Sequence, residues 1–187
     1  INKLEKSGVH IPLKHASNSA AIIDLPEYNL NMVRPGIMLY GLYPSEEVNK
    51  DKIKLQPAMT LKTKISNIKE VSKDTGISYG HIYHTEGKTK IATIPIGYAD
   101  GFTRLLTSRG EAFINGKIVP VVGKICMDQC MLDVTEAGNV NIGDEVILFG
   151  NGELGLHIDD IANKLNTINY EIVCMVGRRV PRVSIKD

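Results

Sequence analysis

The sequence predicts a mainly antiparallel β-domain preceded by a short α/β stretch, and three observations predict it. From about Pro44 onward, apolar residues recur in short β-branched runs separated by Gly, Asn and Asp, the punctuation of hairpin-linked strands. Ahead of that point, "VHIPLKHASNSAAIIDLPEYNLNMVRPGIMLYG" reads as strand, small-residue turn, helix and strand, the order of a parallel α/β unit. Within the later part, Asn115-Gly116 divides two such runs and is the dipeptide that a two-residue hairpin turn favours. The change of character divides the chain into residues 1–44 and 45–187.

In chain order, "INKLEKSG" has the composition of the last turn of a helix that stops at Gly8, without the apolar start such a helix needs, which suggests a fragment of a longer chain. A strand is expected in "VHIPLKH", a helix near residues 19–24 and a second strand over residues 32–40. Strands then follow in "AMTLKTKISNIKEV", "TKIATIPIGY", "EAFINGKIVPVVG", "QCMLDV", "DEVILFG" and "YEIVCMV". One helix interrupts them. In "HIDDIANKLN", Ile158, Ile161, Ala162 and Leu165 keep a helical period, and Asp159 and Asp160 suit the positive end of the helix dipole; it should cap an open end of the sheet.

Composition narrows the function classes. With 43% hydrophobic and 23% charged residues the chain is an ordinary globular one, and a net charge of +1 gives no reason to expect nucleic acid or an anionic membrane as partner. A small molecule or another protein is the expected target; no apolar run approaches the ~20 residues that cross a bilayer, and the first residues lack the apolar core of a signal peptide, so a cytosolic protein is expected. Three cysteines cannot all pair. Cys126 and Cys130, at i and i+4, share a strand face without zinc-ribbon spacing, and reduced packing thiols are expected. His81 and His84, three apart on a strand, would point to opposite faces, which argues against one metal ion. No G-x-S-x-G elbow is present.

Several short stretches carry residues with chemical capacity, each with a plainer alternative. "HASNSAA" puts Asn18 and Ser19 after a strand and before a helix, where backbone N–H groups and hydroxyls surround phosphates, or where Asn and Ser simply cap the helix. "MVRPGIMLYG" sets Arg34 at the end of an apolar strand, with the Gly36 and Ile37 N–H groups next to it, as an anion contact or a surface ion pair. "GISYGHIY" places Tyr79 between two small residues, a setting a packing Tyr would not need. "IPIGYADGF" repeats the device at Tyr98, with Arg104 six positions later. "KICMDQC" holds Met127 and Asp128 in a run too apolar for an unpartnered carboxylate, unless Asp128 is a turn residue. "NTINYEI" supplies Tyr170 where helix hands over to strand.

Taken together, "HASNSAA", "MVRPGIMLYG", "ISYGHIY", "IPIGYADGF", "GKICMDQCMLDV" and "TINYEI", in this order and spacing, resemble the C-terminal half of alanine racemase over nearly the whole chain. The resemblance implies the last βα elements of a (β/α)8 barrel in residues 1–44 and the C-terminal β-domain of a pyridoxal 5'-phosphate-dependent racemase in residues 45–187. It implies a homodimer whose active sites are shared between subunits, and the interconversion of L- and D-alanine that supplies peptidoglycan synthesis. By the same resemblance Tyr79 is the base on one face of the bound amino acid. Asn18, Ser19, the Gly36 and Ile37 backbone and Tyr170 match phosphate-binding positions, and Arg34 matches the Arg facing the pyridine nitrogen. Met127, through its N–H, matches the position holding the substrate carboxylate, with Asp128 beside it, and Tyr98 and Arg104 match residues lining the substrate entrance. Lys124 stands where many members have Arg.

Those residue types suit the chemistry the resemblance implies. Racemisation removes a proton from one face of the α-carbon and returns one to the other, so it needs two acid/base groups on opposite sides. A free Tyr titrates near ~10, so a neighbour must ease its deprotonation. Arg34, always protonated, can only donate to the pyridine nitrogen, which leaves the cofactor a weaker electron sink and favours reprotonation over transamination. The family's Schiff-base Lys, the second acid/base, sits in a small-residue motif of the N-terminal barrel that nothing in this chain matches. Residues 1–187 are therefore expected to hold half of the site and not to racemise amino acids by themselves. Three other readings remain: a serine/alanine racemase, a decarboxylase of similar build, against which Arg34 argues, and a non-catalytic binding or dimerisation module.

Overall fold

The computed structural model describes residues 1–150 and 156–185. The chain forms two compact units, Ile1–Ala58 and Met59–Asp187.

In the first unit, helix α1 (Asn2–Lys6) ends at Ser7, whose N–H reaches the carbonyls of Lys3 and Leu4 at 3.2 and 3.0 Å. Helix α2 (Ser19–Asp24) begins where sequence predicts it, because Asn18 is extended and its Oδ1 accepts the Ala21 N–H at 3.1 Å. The two strands expected on either side of α2 do not form. A single parallel bridge, His15 to Met32, is all the pairing there. Beyond it Pro35 has no N–H to offer a ladder, and Ile37–Tyr40 turns as a 3-10 helix closed by left-handed Gly41. Arg34 is correspondingly exposed rather than lodged at the end of a buried strand.

The second unit is built on antiparallel strands β1 (Leu61–Lys64), β2 (Asn67–Val71), β3 (Gly76–Ile77), β4 (Tyr83–His84), β5 (Thr89–Ile94), β6 (Glu111–Ile114), β7 (Lys117–Val122), β8 (Cys130–Asp133) and β9 (Glu145–Phe149). Seven of them form one sheet in the order β1-β9-β6-β7-β8-β5-β2, and β3 pairs with β4 as a separate ribbon. The period-2 pattern explains the register: Ala112 and Ile114 of β6, Cys130 and Leu132 of β8, and Val146 and Leu148 of β9 all turn inward and are buried. Asn115 and Gly116, with φ of 47° and 80°, make the predicted two-residue turn between β6 and β7.

Helix α3 (Ile158–Leu165) forms as expected and buries Ile158, Ile161 and Ala162. Its start is doubly capped: His157 Nδ1 accepts the Asp159 N–H at 3.2 Å, and Asp160 accepts the His157 N–H at 3.3 Å. Lys164 pairs with Glu111 at the start of β6, and Ile161 shares a small crevice with Leu148 of β9, so α3 lies against the sheet. "YEIVCMV" is not a strand. All but its last residue lies in helix α4 (Asn169–Met175), where Ile172 and Val173 are buried, as is the C-cap Val176, while Glu171 and Cys174 face out. Asn169 Nδ2 donates to Asp159 Oδ1 at 2.8 Å and ties α4 to α3. Among the described residues no helix is long and apolar enough to cross a membrane.

Candidate functional site

The candidate residues of the first unit gather around Ser19. This buried side chain opens α2, and its Oγ accepts the Gly36 N–H at 3.0 Å and the Met38 N–H at 3.4 Å, so the helix start and the residue 36–38 turn are bound together. Ile37, buried, lies between them. Arg34 joins the same loop: its N–H donates to the Ser17 carbonyl and its Nη2 to the Ala16 carbonyl, both at 3.0 Å. Asn18 takes the capping role described above, with its side chain turned to Ala21. One buried group here was missed by the sequence analysis: the Ser17 hydroxyl, 1% exposed, has no hydrogen-bond partner among the described residues. Its signal was present in "HASNS", where a second serine directly precedes the Asn18 and Ser19 that were singled out.

In the second unit, Tyr79 lies in a 3-10 turn, Tyr79–His81, that joins β3 to β4, and it is 72% exposed. The turn needs Gly80, which has φ of 72° and lies so close under the Lys124 ammonium that a Cβ would stand 3.2 Å from Nζ. It also explains why His81 and His84 are neighbours, with ring centroids 6.3 Å apart, and not on opposite faces of a strand: the segment between them is turned, not extended. Among the described residues no cluster of three or more ligating side chains surrounds them.

Backbone bonds bring the second and third turns together. The Tyr98 N–H donates to the Cys126 carbonyl at 3.1 Å and the Ala99 N–H to the Met127 carbonyl at 2.9 Å, so Tyr98 and Met127, both exposed, stand on adjoining loops. Asp128 sits on the exposed bend just before β8, so the apolar run around it does not bury its carboxylate, and the turn-residue alternative describes its setting. Arg104 opens a short 3-10 turn after Tyr98 and is exposed. Tyr170, in the first turn of α4 and not at a helix-to-strand junction, is half-buried, and burial raises its phenol above the usual range.

Two supports of this arrangement were not singled out from sequence. Asp100, buried, accepts the Gly97 N–H at 3.0 Å and faces Arg179 Nε at 3.4 Å, which fixes the Tyr98 turn from beneath. Ser78 donates to the Lys124 carbonyl at 2.7 Å and so ties the Tyr79 turn to the stretch that leads to Met127. An Asp within "IPIGYADGF" was a readable signal for the first; a Ser whose partner is 46 positions away in sequence offered none for the second.

Chemically, the first unit offers a cluster of hydroxyls, backbone N–H groups and a guanidinium, a set that suits an anion such as a phosphate. The second offers an exposed phenol, a second phenol, a cation and exposed backbone around Met127, a set that suits a small zwitterion.

Comparison with known proteins places both units. Residues 58–184 match the model of the alanine racemase C-terminal domain, and residues 1–44 match that of the alanine racemase N-terminal domain. Alanine racemase of Methanococcus maripaludis is 60% identical over 184 residues, 98% of this chain and 49% of that protein. The Clostridium perfringens enzyme is 57% identical over 98% of this chain and 48% of its own length. The chain thus spans about half the length of the curated relatives it matches. Among solved structures, alanine racemase of Clostridium difficile 630 in complex with cycloserine superposes with a TM-score of 0.90 at 55% identity, covering 96% of this chain and 47% of that one. The Bacillus anthracis alanine racemase with bound L-Ala-P gives a TM-score of 0.91 at 41% identity, over 100% of this chain and 48% of that one. With a family model matching more than half of its residues and relatives this similar along nearly its full extent, the chain belongs to the alanine racemase family.

Proposed function

We propose that the polypeptide carrying these residues is a pyridoxal 5'-phosphate-dependent alanine racemase. In this reading residues 1–44 belong to the cofactor-binding barrel, residues 45–187 form the C-terminal β-domain, and a homodimer shares each site between its subunits. The observation that carries it is the exposure of Tyr79, at 72%, on a turn tied to the loop that leads to Met127. A phenol packed inside the β-unit could not serve a bound amino acid.

The residues of the first unit fit the cofactor. The Ser17 hydroxyl, two residues before Ser19, is buried and has no partner among the described residues, and such an orphan is what a bound phosphate oxygen would satisfy. Asn18, Ser19 and the Gly36 and Ile37 backbone would hold the phosphate, and Arg34 would face the ring nitrogen. When bound, the cofactor supplies the electron withdrawal that makes the α-proton of an amino acid removable.

The remaining work falls to this chain's own side chains. Tyr79 exchanges a proton with the α-carbon on one face of the amino acid held in the neighbouring subunit. The Met127 N–H binds the amino acid's carboxylate, with Asp128 beside it, and Tyr98 and Arg104 line its path of entry. Arg34, whose guanidinium can only donate hydrogen bonds, would hold the cofactor's electron withdrawal to what racemisation needs.

The last point gives a test. In the full-length polypeptide carrying these residues, reconstituted with pyridoxal phosphate, L-alanine should yield D-alanine by chiral chromatography. Arg34→Glu should lower that rate while raising pyruvate formation by transamination. Unchanged pyruvate with unchanged racemisation would remove Arg34 from the ring nitrogen, and absence of D-alanine from the unsubstituted protein would end the racemase reading.

A further inference from the structure

We infer that Ser78 is the positioning residue for Tyr79: it touches neither substrate nor cofactor, and acts by pinning a strained peptide through its hydroxyl. The inference rests on the reading of Tyr79 as an acid/base group.

The strain is local and specific. Ser78 has φ of 63° and ψ of −176°, a conformation that glycine adopts freely and residues with a Cβ avoid. Gly80 at 72° and His81 at 46° extend the unusual backbone on the other side of Tyr79. Such a conformation persists only where the surroundings over-determine it. Here they do so from both sides. Ile77, buried, is anchored in a cluster with Ile91 and Val122. The Ser78 Oγ donates to the Lys124 carbonyl at 2.7 Å and lies 3.6 Å from Cys126 Sγ.

The facing chain is shaped to receive it. Gly123, with φ of 70°, lies so close that a Cβ there would stand 2.7 Å from both the Ile77 carbonyl oxygen and the Ser78 Cβ. The Lys124 ammonium then covers Gly80. The stretch that accepts the Ser78 hydroxyl runs directly into Cys126 and Met127, whose carbonyls hold the Tyr98 turn. One hydroxyl thus sets the register between the proposed proton-transferring phenol and the proposed carboxylate-binding loop. Proton transfer depends on that register, because a misplacement of about 1 Å can cost on the order of 10²-fold in rate.

Ser78→Gly separates positioning from folding, since it removes the hydroxyl while making the backbone conformation comfortable. In the full-length polypeptide reconstituted with pyridoxal phosphate, Ser78→Gly should lower kcat by roughly 10- to 100-fold. KM for L-alanine should stay within about twofold, and the urea unfolding midpoint should be equal or higher. Ser78→Ala should lose kcat to a similar extent. Adding Ser78→Gly to Tyr79→Phe should cost nothing further, because a residue that acts only through the phenol has nothing left to position. Wild-type kcat in Ser78→Gly, or an equal loss in both backgrounds, would overturn the proposal. Tyr79→Phe alone reports on the underlying reading: if it racemises like wild type, Tyr79 is not an acid/base group and the role given to Ser78 falls with it.

Discussion

Two residues show how burial and exposure divide the labour within one unit. Tyr79 and Cys130 are both capable of giving up a proton, yet one is open to solvent and the other is fully enclosed at the start of β8. Burial, with a smaller push from Cys126, raises the Cys130 thiol to about 12. It packs as a small apolar group and takes no part in the site. The sign of its pH dependence follows: between the unfolded thiol value, near ~8.5 to 9, and the folded one, the unfolded state binds fewer protons, so stability is complete at lower pH and falls as pH rises. Each pH unit in that window removes up to about 1.4 kcal/mol. Urea midpoints should therefore drop less between pH 8 and pH 10 in Cys130→Ala than in the wild type, and equal drops would show that the thiol ionises in the folded state. The exposed Tyr79 was legible as an oddity in "GISYGHIY", whereas the clamp beneath it was not, since its partner lies across the fold.

Among the elements, those bounded by turn chemistry formed where expected and those judged by apolar content alone did not all do so. Asn115-Gly116 closed the β6–β7 hairpin because both residues tolerate positive φ, a local requirement written in two letters. Gly116→Ala should accordingly cost about 1 kcal/mol or more, read as a lower urea midpoint, while Gly87→Ala, where a Cβ meets open space, should change it by less than about 0.5 kcal/mol. Equal effects would mean that the hairpin turn is not under that constraint. α4 went the other way. Its Ile172 and Val173 favour strands, but packing against α3 through Asn169 and Asp159 outweighs a preference worth only a few tenths of a kcal/mol per residue. The strand expected over residues 32–40 failed because ladder formation needs partners, and only His15 supplies one within the unit.

For the molecule as a whole, the candidate residues fall into two sets, one on each unit. Ser19, Gly36, Ile37 and Arg34 are bound together in the first; Tyr79, Tyr98 and Met127 stand together in the second through Ser78 and the Cys126 and Met127 carbonyls. The second set carries exposed apolar surface, with Tyr79, Ile82, Tyr98, Leu105 and Met127 all open, which supports the proposal that a second subunit covers this end. Family membership was legible in the order of six short motifs because their spacing constrains more than any one of them does. The bonds that gather each set were not, since Ser19 with Gly36 and Ser78 with Lys124 join residues 17 and 46 positions apart. The central claim is that Tyr79 moves the α-proton on one face only. In the full-length polypeptide reconstituted with pyridoxal phosphate, Tyr79→Phe should suppress α-deuterium uptake from D2O by about 10²- to 10⁴-fold for one alanine enantiomer while the other still exchanges; loss of neither, or equal loss of both, would contradict it.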